Sequence, residues 1–163
     1  MIPTPVSSQG MVYVLCGGAS RDNELRAIDL DLAQGDISDS RALVWSMEKE
    51  TPYIPSPLLY ENQLYLVKRS NGFLSSLNPK TGEAYYLRER LKGIGDMYSS
   101  PVGVNGYIYI ASLNGKTQVV RHGEVFKPVA LNKLDDRFSA SPVVVGNDLY
   151  LRGEKYLYCI SED

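Results

Sequence analysis

The side chains able to do chemistry are few and scattered. His122 is the only histidine and falls in Val120-Arg121-His122-Gly123-Glu124, a stretch that reads as a hairpin turn. One imidazole without further ligands cannot build a metal site, so it is expected as a solvated turn residue rather than as a ligand or proton carrier. The two cysteines, Cys16 and Cys159, are too few for a disulfide scaffold and are not spaced as a metal knuckle. Both fall in or beside apolar strands, which predicts buried, inert thiols, and their spacing leaves pairing open. Asp29-Leu30-Asp31 and Asp135-Asp136 have the charge for a cation but not the alternating ligands and closing Glu of an EF-hand, so they are expected as solvated loops. Gly17-Gly18 precedes no helix at phosphate-loop spacing and reads as the opening of a loop. No catalytic group, cofactor site or metal site is expected from these residues.

Composition narrows the partners. The 163 residues carry 17 Lys plus Arg against 19 Asp plus Glu, a formal charge of -2. That is no broad basic field, so nucleic acid is not an expected partner. The longest apolar run is the six residues from Met11 to Cys16, against the roughly 20 a helix needs to cross a bilayer, and no membrane span is expected. The first residues have neither a basic region nor an apolar core of a secretion signal, so none is expected in this stretch.

What must position any site is a repeat. Thr4-Pro5, Ser56-Pro57, Ser100-Pro101 and Ser141-Pro142 each precede, by eight residues from the proline, a tyrosine in an apolar run: Tyr13, Tyr65, Tyr109 and Tyr150. The hydroxyl residues start 52, 44 and 41 positions apart, a constant motif with loops of varying length between units. Gln9-Gly10, Glu61-Asn62, Asn105-Gly106 and Gly146-Asn147-Asp148 supply a tight turn between proline and tyrosine, so each unit opens with a hairpin. Second strands are expected over 11–15, 64–67, 107–110 and 149–151, where near-continuous apolarity predicts that both faces are covered. Third strands are expected over 24–29, 73–77, 117–120 and 156–160, with Ile28, Leu77, Val120 and Ile160 in equivalent places. Fourth strands fall near 43–47, 84–88 and 125–131. The last unit stops before a fourth strand.

One segment reads two ways. Leu25, Ile28 and Leu32 within 22–33 have helix-like spacing, with Gly35 beyond the end. A strand over 24–29 is preferred, because the other three units put one there.

Tandem four-stranded antiparallel units of this length are the blades of a β-propeller, whose apolar sheet faces are buried only against neighbouring blades. The expected fold is therefore all-β, a partial β-propeller of about four antiparallel blades in a single domain over 1–163. The blades run approximately over 2–50, 51–95, 96–136 and 137–163, and the last lacks its outer strand. The open flanks call for a partner: the remaining blades of a longer chain, or a second copy. Most of the twelve tyrosines sit where they would pack between blades. Tyr53, Tyr98 and Phe138 differ, because each lies three or four residues before its blade's proline, in a connection between blades. With Arg137 and Asp96 they are expected to ring one mouth of the channel and to receive a protein or carbohydrate partner.

Residues 56–83, running from Ser56-Pro57 to Leu77-Asn78-Pro79-Lys80-Thr81-Gly82-Glu83, with Tyr86 beyond, resemble the quinoprotein-like β-propeller repeat named after pyrroloquinoline quinone enzymes. Ala27-Ile28-Asp29 and Trp45 add to the likeness, which spans 3–160 and is most similar to the carboxy-terminal half of longer propellers in bacterial proteins. Enzymes of that family hold the quinone between a Trp and a disulfide of adjacent cysteines, beside calcium. Here Cys16 and Cys159 are 143 positions apart and the sole Trp is in an expected outer strand. The resemblance thus implies no cofactor and a noncatalytic binding or scaffolding module, with a periplasmic or extracellular location. Its alternatives are a fragment of a quinone-dependent dehydrogenase or of a glycan-processing propeller enzyme.

Overall fold

A computed structural model describes residues 3–16, 23–68 and 72–161. These form four separate antiparallel sheets, and among the described residues there is no helix. The first sheet runs β1 (Val6–Ser8), β2 (Met11–Cys16), β3 (Glu24–Asp29), β4 (Leu43–Met47), each strand paired to the next. The second runs β5 (Leu58–Tyr60), β6 (Gln63–Lys68), β7 (Phe73–Leu77), β8 (Ala84–Arg90). The third runs β9 (Val102–Val104), β10 (Tyr107–Ala111), β11 (Lys116–Arg121), β12 (Lys127–Lys133). The fourth has three strands, β13 (Val143–Val145), β14 (Asp148–Arg152) and β15 (Leu157–Ile160).

The repeat is kept in the register. Tyr13, Tyr65, Tyr109 and Tyr150 pair with Val6, Leu58, Val102 and Val143, in each case the residue after the proline. Ile28, Leu77, Val120 and Ile160 pair with Val12, Leu64, Ile108 and Leu149, the residue before each tyrosine. The opening hairpins turn on left-handed backbone: Gln9 and Gly10 (φ 52 and 78), Glu61 and Asn62 (45 and 61), Asn105 and Gly106 (49 and 75), while Gly146 (60) bends the fourth. This handedness matches the twist of the flanking strands. The segment around Leu25 is strand, as preferred. Leu25 and Ala27 are wholly buried between β2 and β4, whereas Leu30 and Leu32 are more than half exposed and leave a helix nothing to pack against. Residue 22 lies outside the described residues. The third outer strand starts two residues later than expected, leaving Val125 78% exposed in the turn.

Alternation along the second strands builds the stack. Leu64 and Leu66 of β6 point back onto Tyr13, Leu15, Leu25 and Ala27 of the first blade. Tyr65 and Val67 point forward onto Ile108, Ile110 and Val120 of the third. Five consecutive residues of β6 are therefore buried. Burial of one such side chain is worth about 1.5–3 kcal/mol, more than the roughly 1 kcal/mol spanned by strand propensities. Packing between blades, not local preference, holds the array.

Polar contacts follow the same axis. The innermost strands β1, β5 and β9 lie side by side. At their heads Thr4 N–H donates to Ser56 Oγ, Ser56 N–H to Ser100 Oγ, and Ser100 N–H to Ser141 Oγ, each at 2.9 Å. Each hydroxyl thus receives the amide of the preceding blade. At the rim, Trp45 of β4 covers Gly82 in the β7–β8 turn, where a Cβ would come within 2.8 Å of the indole, and its Nε1–H donates to Pro79 O at 2.8 Å. Trp45→Phe should keep the packing, lose this bond and cost about 1 kcal/mol in urea titrations. Gly82→Ala should cost more, since its φ of +74 is unfavourable for alanine as well.

Candidate functional site

The connections between blades and the hairpins closing their second and third strands share one end of the array, the end at which the inner strands begin. Leu113 N–H donates to Asp96 O across this end at 3.0 Å, and Thr51 Oγ1 donates to Asn23 O at 2.9 Å. Asp96 is exposed, Tyr98 is 36% exposed, and Tyr53 is half-buried. Arg137 is exposed and meets Glu154 at 3.4 Å. Phe138 is a core residue at 1% exposure, packed with Ala111 and Leu151 and edge-on to Tyr158 at 5.8 Å, and presents nothing to a partner.

Two residues expected in solvent are not there. Asp136 is 7% exposed and receives the N–H groups of Arg137 (2.7 Å), Glu154 (3.0 Å), Lys155 (3.1 Å) and Tyr156 (3.1 Å) and the hydroxyl of Tyr158 (3.2 Å). Burial works to raise its pKa, but the Arg137, Lys155 and Tyr156 amides and the Tyr158 hydroxyl outweigh that and lower it. The carboxylate is the clasp between the connection from the third blade and the β14–β15 hairpin of the fourth. Gly153 makes room for it, since a Cβ there would overlap the carboxylate. Only Asp135 is a solvated acid, as expected of the pair.

His122 is likewise packed, with its side chain 19% exposed. Its Nδ1 lies 2.8 Å from the Tyr65 hydroxyl, its Nε2 3.5 Å from Glu61, and its ring meets Tyr60 edge-on at 5.4 Å. The histidine is in the third blade and these partners in the second. The expected solvated turn is therefore a wedge between blades. The thiols differ from expectation too: Cys159 is exposed and Cys16 half-buried, and both are free.

The feature missed altogether is a cleft of about 810 Å³ between the third and fourth blades. Tyr107, Tyr109 and Ala130 line one wall, and Val144, Leu149 and Ile160 the other. Register explains the gap. Ala27 pairs with Trp45, Ser76 with Tyr86, and Val119 with Ala130. The first two blades thus put a large ring on the forward face of the outer strand, where Trp45 covers Gly82 and Tyr86 meets Phe126 at 5.8 Å. The third blade puts a methyl group there. Beyond the cleft β15 is the last strand of its sheet, with no neighbour on its outer edge among the described residues. The signal was present as Ala130 in the place of Trp45 and Tyr86, but finding it needs the bulge-shifted register of the outer strands.

No known protein family matches the sequence, and no curated protein matches it. Solved structures do. The computationally designed Ika8 protein, a designed propeller, is similar with a TM-score of 0.72 at 8% identity, over 97% of this chain and 45% of its own. The computationally designed Ika4 protein is similar with a TM-score of 0.67 at 10% identity, over 99% of this chain and 91% of its own. BamB from Moraxella catarrhalis gives a TM-score of 0.49 at 15% identity, over 97% of this chain and 57% of its own. The fold is a partial β-propeller. The chain spans about half the length of Ika8 and of BamB. Among the described residues no helix is long and apolar enough to cross a membrane, and no three His, Cys, Asp or Glu side chains cluster as metal ligands.

Proposed function

We propose that the protein is a noncatalytic β-propeller module that binds another polypeptide in the cleft between its third and fourth blades. The observation that carries this reading is the 810 Å³ cleft beside the open edge of β15. An unpaired edge strand supplies a row of main-chain donors and acceptors that an extended segment can join, and adjacent pockets then select side chains. Among the described residues the first three blades have a fourth strand at that edge and the last has three strands, so an extended segment can pair there. Ala130 leaves space where the earlier blades place Trp45 and Tyr86, so the occupant carries a bulky aromatic residue.

Fluorescent peptides that alternate aliphatic and polar residues around a central tryptophan test this by anisotropy. Saturable binding is expected to the full chain, and Ala130→Trp should abolish it while leaving the thermal midpoint at or above that of the parent. Absence of binding, or equal binding by the Ala130→Trp variant, overturns the cleft as the site. Alanine at Tyr53 and Tyr98 should leave peptide affinity unchanged. A loss there moves the docking surface to the channel mouth, with Asp96 and Arg137 as its charged members.

A further inference from the structure

We infer that the two terminal blade faces dock on each other between copies, so that two chains close one eight-bladed ring. The first two junctions each pack a backward-facing aliphatic triplet against a buried forward-facing tyrosine, Tyr13 or Tyr65. The triplets are Leu64, Leu66 and Leu77 in the second blade, and Ile108, Ile110 and Val120 in the third. The fourth blade has Leu149, Leu151 and Ile160 at the same register positions. The first blade carries the same set, Val12, Val14 and Ile28, on its backward face, where all three are only half-buried. The fourth blade offers the matching forward face. Tyr150 stands where Tyr13 and Tyr65 are buried, beside Val143 (55% exposed), Val145 (61%) and Leu157 (70%).

The hydroxyl series specifies the same junction. Three times an amide donates to the hydroxyl at the head of the following blade. The series stops at Ser141, while Thr4, which donates but receives no preceding amide among the described residues, has the hydroxyl that a Ser141 amide needs. A second copy brings Thr4, Val12, Val14 and Ile28 to the fourth blade together, and the first copy returns the favour at the other junction. A head-to-tail contact closes when the rotations sum to a full turn. Four blades here superimpose on 45% of Ika8, so two such sets account for nearly all of that longer propeller.

Light scattering coupled to size exclusion on the full chain is expected to give about 36 kDa, twice the 18.1 kDa of one copy. Val143→Asp on the forward face and Val12→Asp on the backward face should each give about 18 kDa, with the β-sheet circular dichroism of the parent. The thiols Cys159 and Cys16, which lie on these two faces, should react with a thiol reagent at least several-fold faster in the monomeric variants. A parent chain of about 18 kDa at all micromolar concentrations overturns the inference and assigns both faces to other blades. So does an open-ended series of larger assemblies, or a 36 kDa species that survives both substitutions. Ala130→Trp should leave the mass at 36 kDa, which separates this result from that of the peptide-binding experiment.

Discussion

Tyr65→Ala should destabilise the protein by roughly 3–5 kcal/mol, the range for removing a large aromatic side chain from a well-packed core. Tyr65 is wholly buried at the junction of the second and third blades. Its hydroxyl donates to Gln63 Oε1 at 2.6 Å and lies 2.8 Å from His122 Nδ1. Alanine would therefore leave a cavity, take a partner from His122 Nδ1 and leave Gln63 Oε1 with only the 3.4 Å bond from the Ser76 hydroxyl. Tyr65→Phe keeps the ring and should cost only about 1–3 kcal/mol, the penalty of unsatisfied buried partners. The comparison with Tyr150→Ala is decisive for the packing argument, because Tyr150 occupies the same register on a face no blade of this chain covers. In a chain kept monomeric by Val12→Asp, that loss should fall below about 1 kcal/mol, as for surface positions, in urea titrations. Equal losses at Tyr65 and Tyr150 would mean that strand pairing, rather than stacking of blades, holds the array.

Asp136→Asn should release the last blade. An amide keeps one acceptor oxygen and turns its NH2 toward a cage built of donors, so several of the N–H groups of Arg137, Glu154, Lys155 and Tyr156 lose their acceptor. At neutral pH the thermal midpoint should drop by several degrees, and amides of residues 143–160 should exchange faster than those of the first two blades. The pH dependence has a definite sign. The carboxyl pKa is lowered in the folded state, so its contribution is fully present above the unfolded value of about 3.9 and fades as the pH falls through the lower folded value. The gap between parent and variant should accordingly be widest at neutral pH and close below about pH 4. A gap that persists undiminished into strong acid would mean that shape, not charge, makes Asp136 a clasp.

The two experiments probe different layers of one design. Tyr65 reports on the burial that the first two junctions share, and Asp136 on a caged carboxylate that, among the described residues, ties only the third. The fourth blade has the smallest apolar junction: Ala111, Phe138 and Leu151, with Leu134, Leu149 and Tyr158 against them. Asp136 supplies what the open cleft takes away. That blade also ends its sheet at the third strand and has the exposed forward face, so the least secured part of the array is the part with surfaces to offer.

Read alone, the chain was enough for the strands, the hairpins, the fourfold register and the partial propeller, because each rests on short-range patterns: a proline, a left-handed turn and a tyrosine at a constant offset. Period-2 alternation and turn chemistry act within about ten residues, and a repeat states them four times. The three-dimensional arrangement decided what depends on a neighbour 18 to 61 positions away. His122 looked solvated because its partners, Tyr65 and Glu61, belong to another blade. Asp136 looked like loop charge because the amides that hold it come mostly from the next hairpin. The cleft was invisible because it is the absence of a ring at Ala130, detectable only once bulged outer strands are aligned through their pairing. Desolvation and hydrogen bonding are properties of a surrounding, and a surrounding exists only after the blades have stacked.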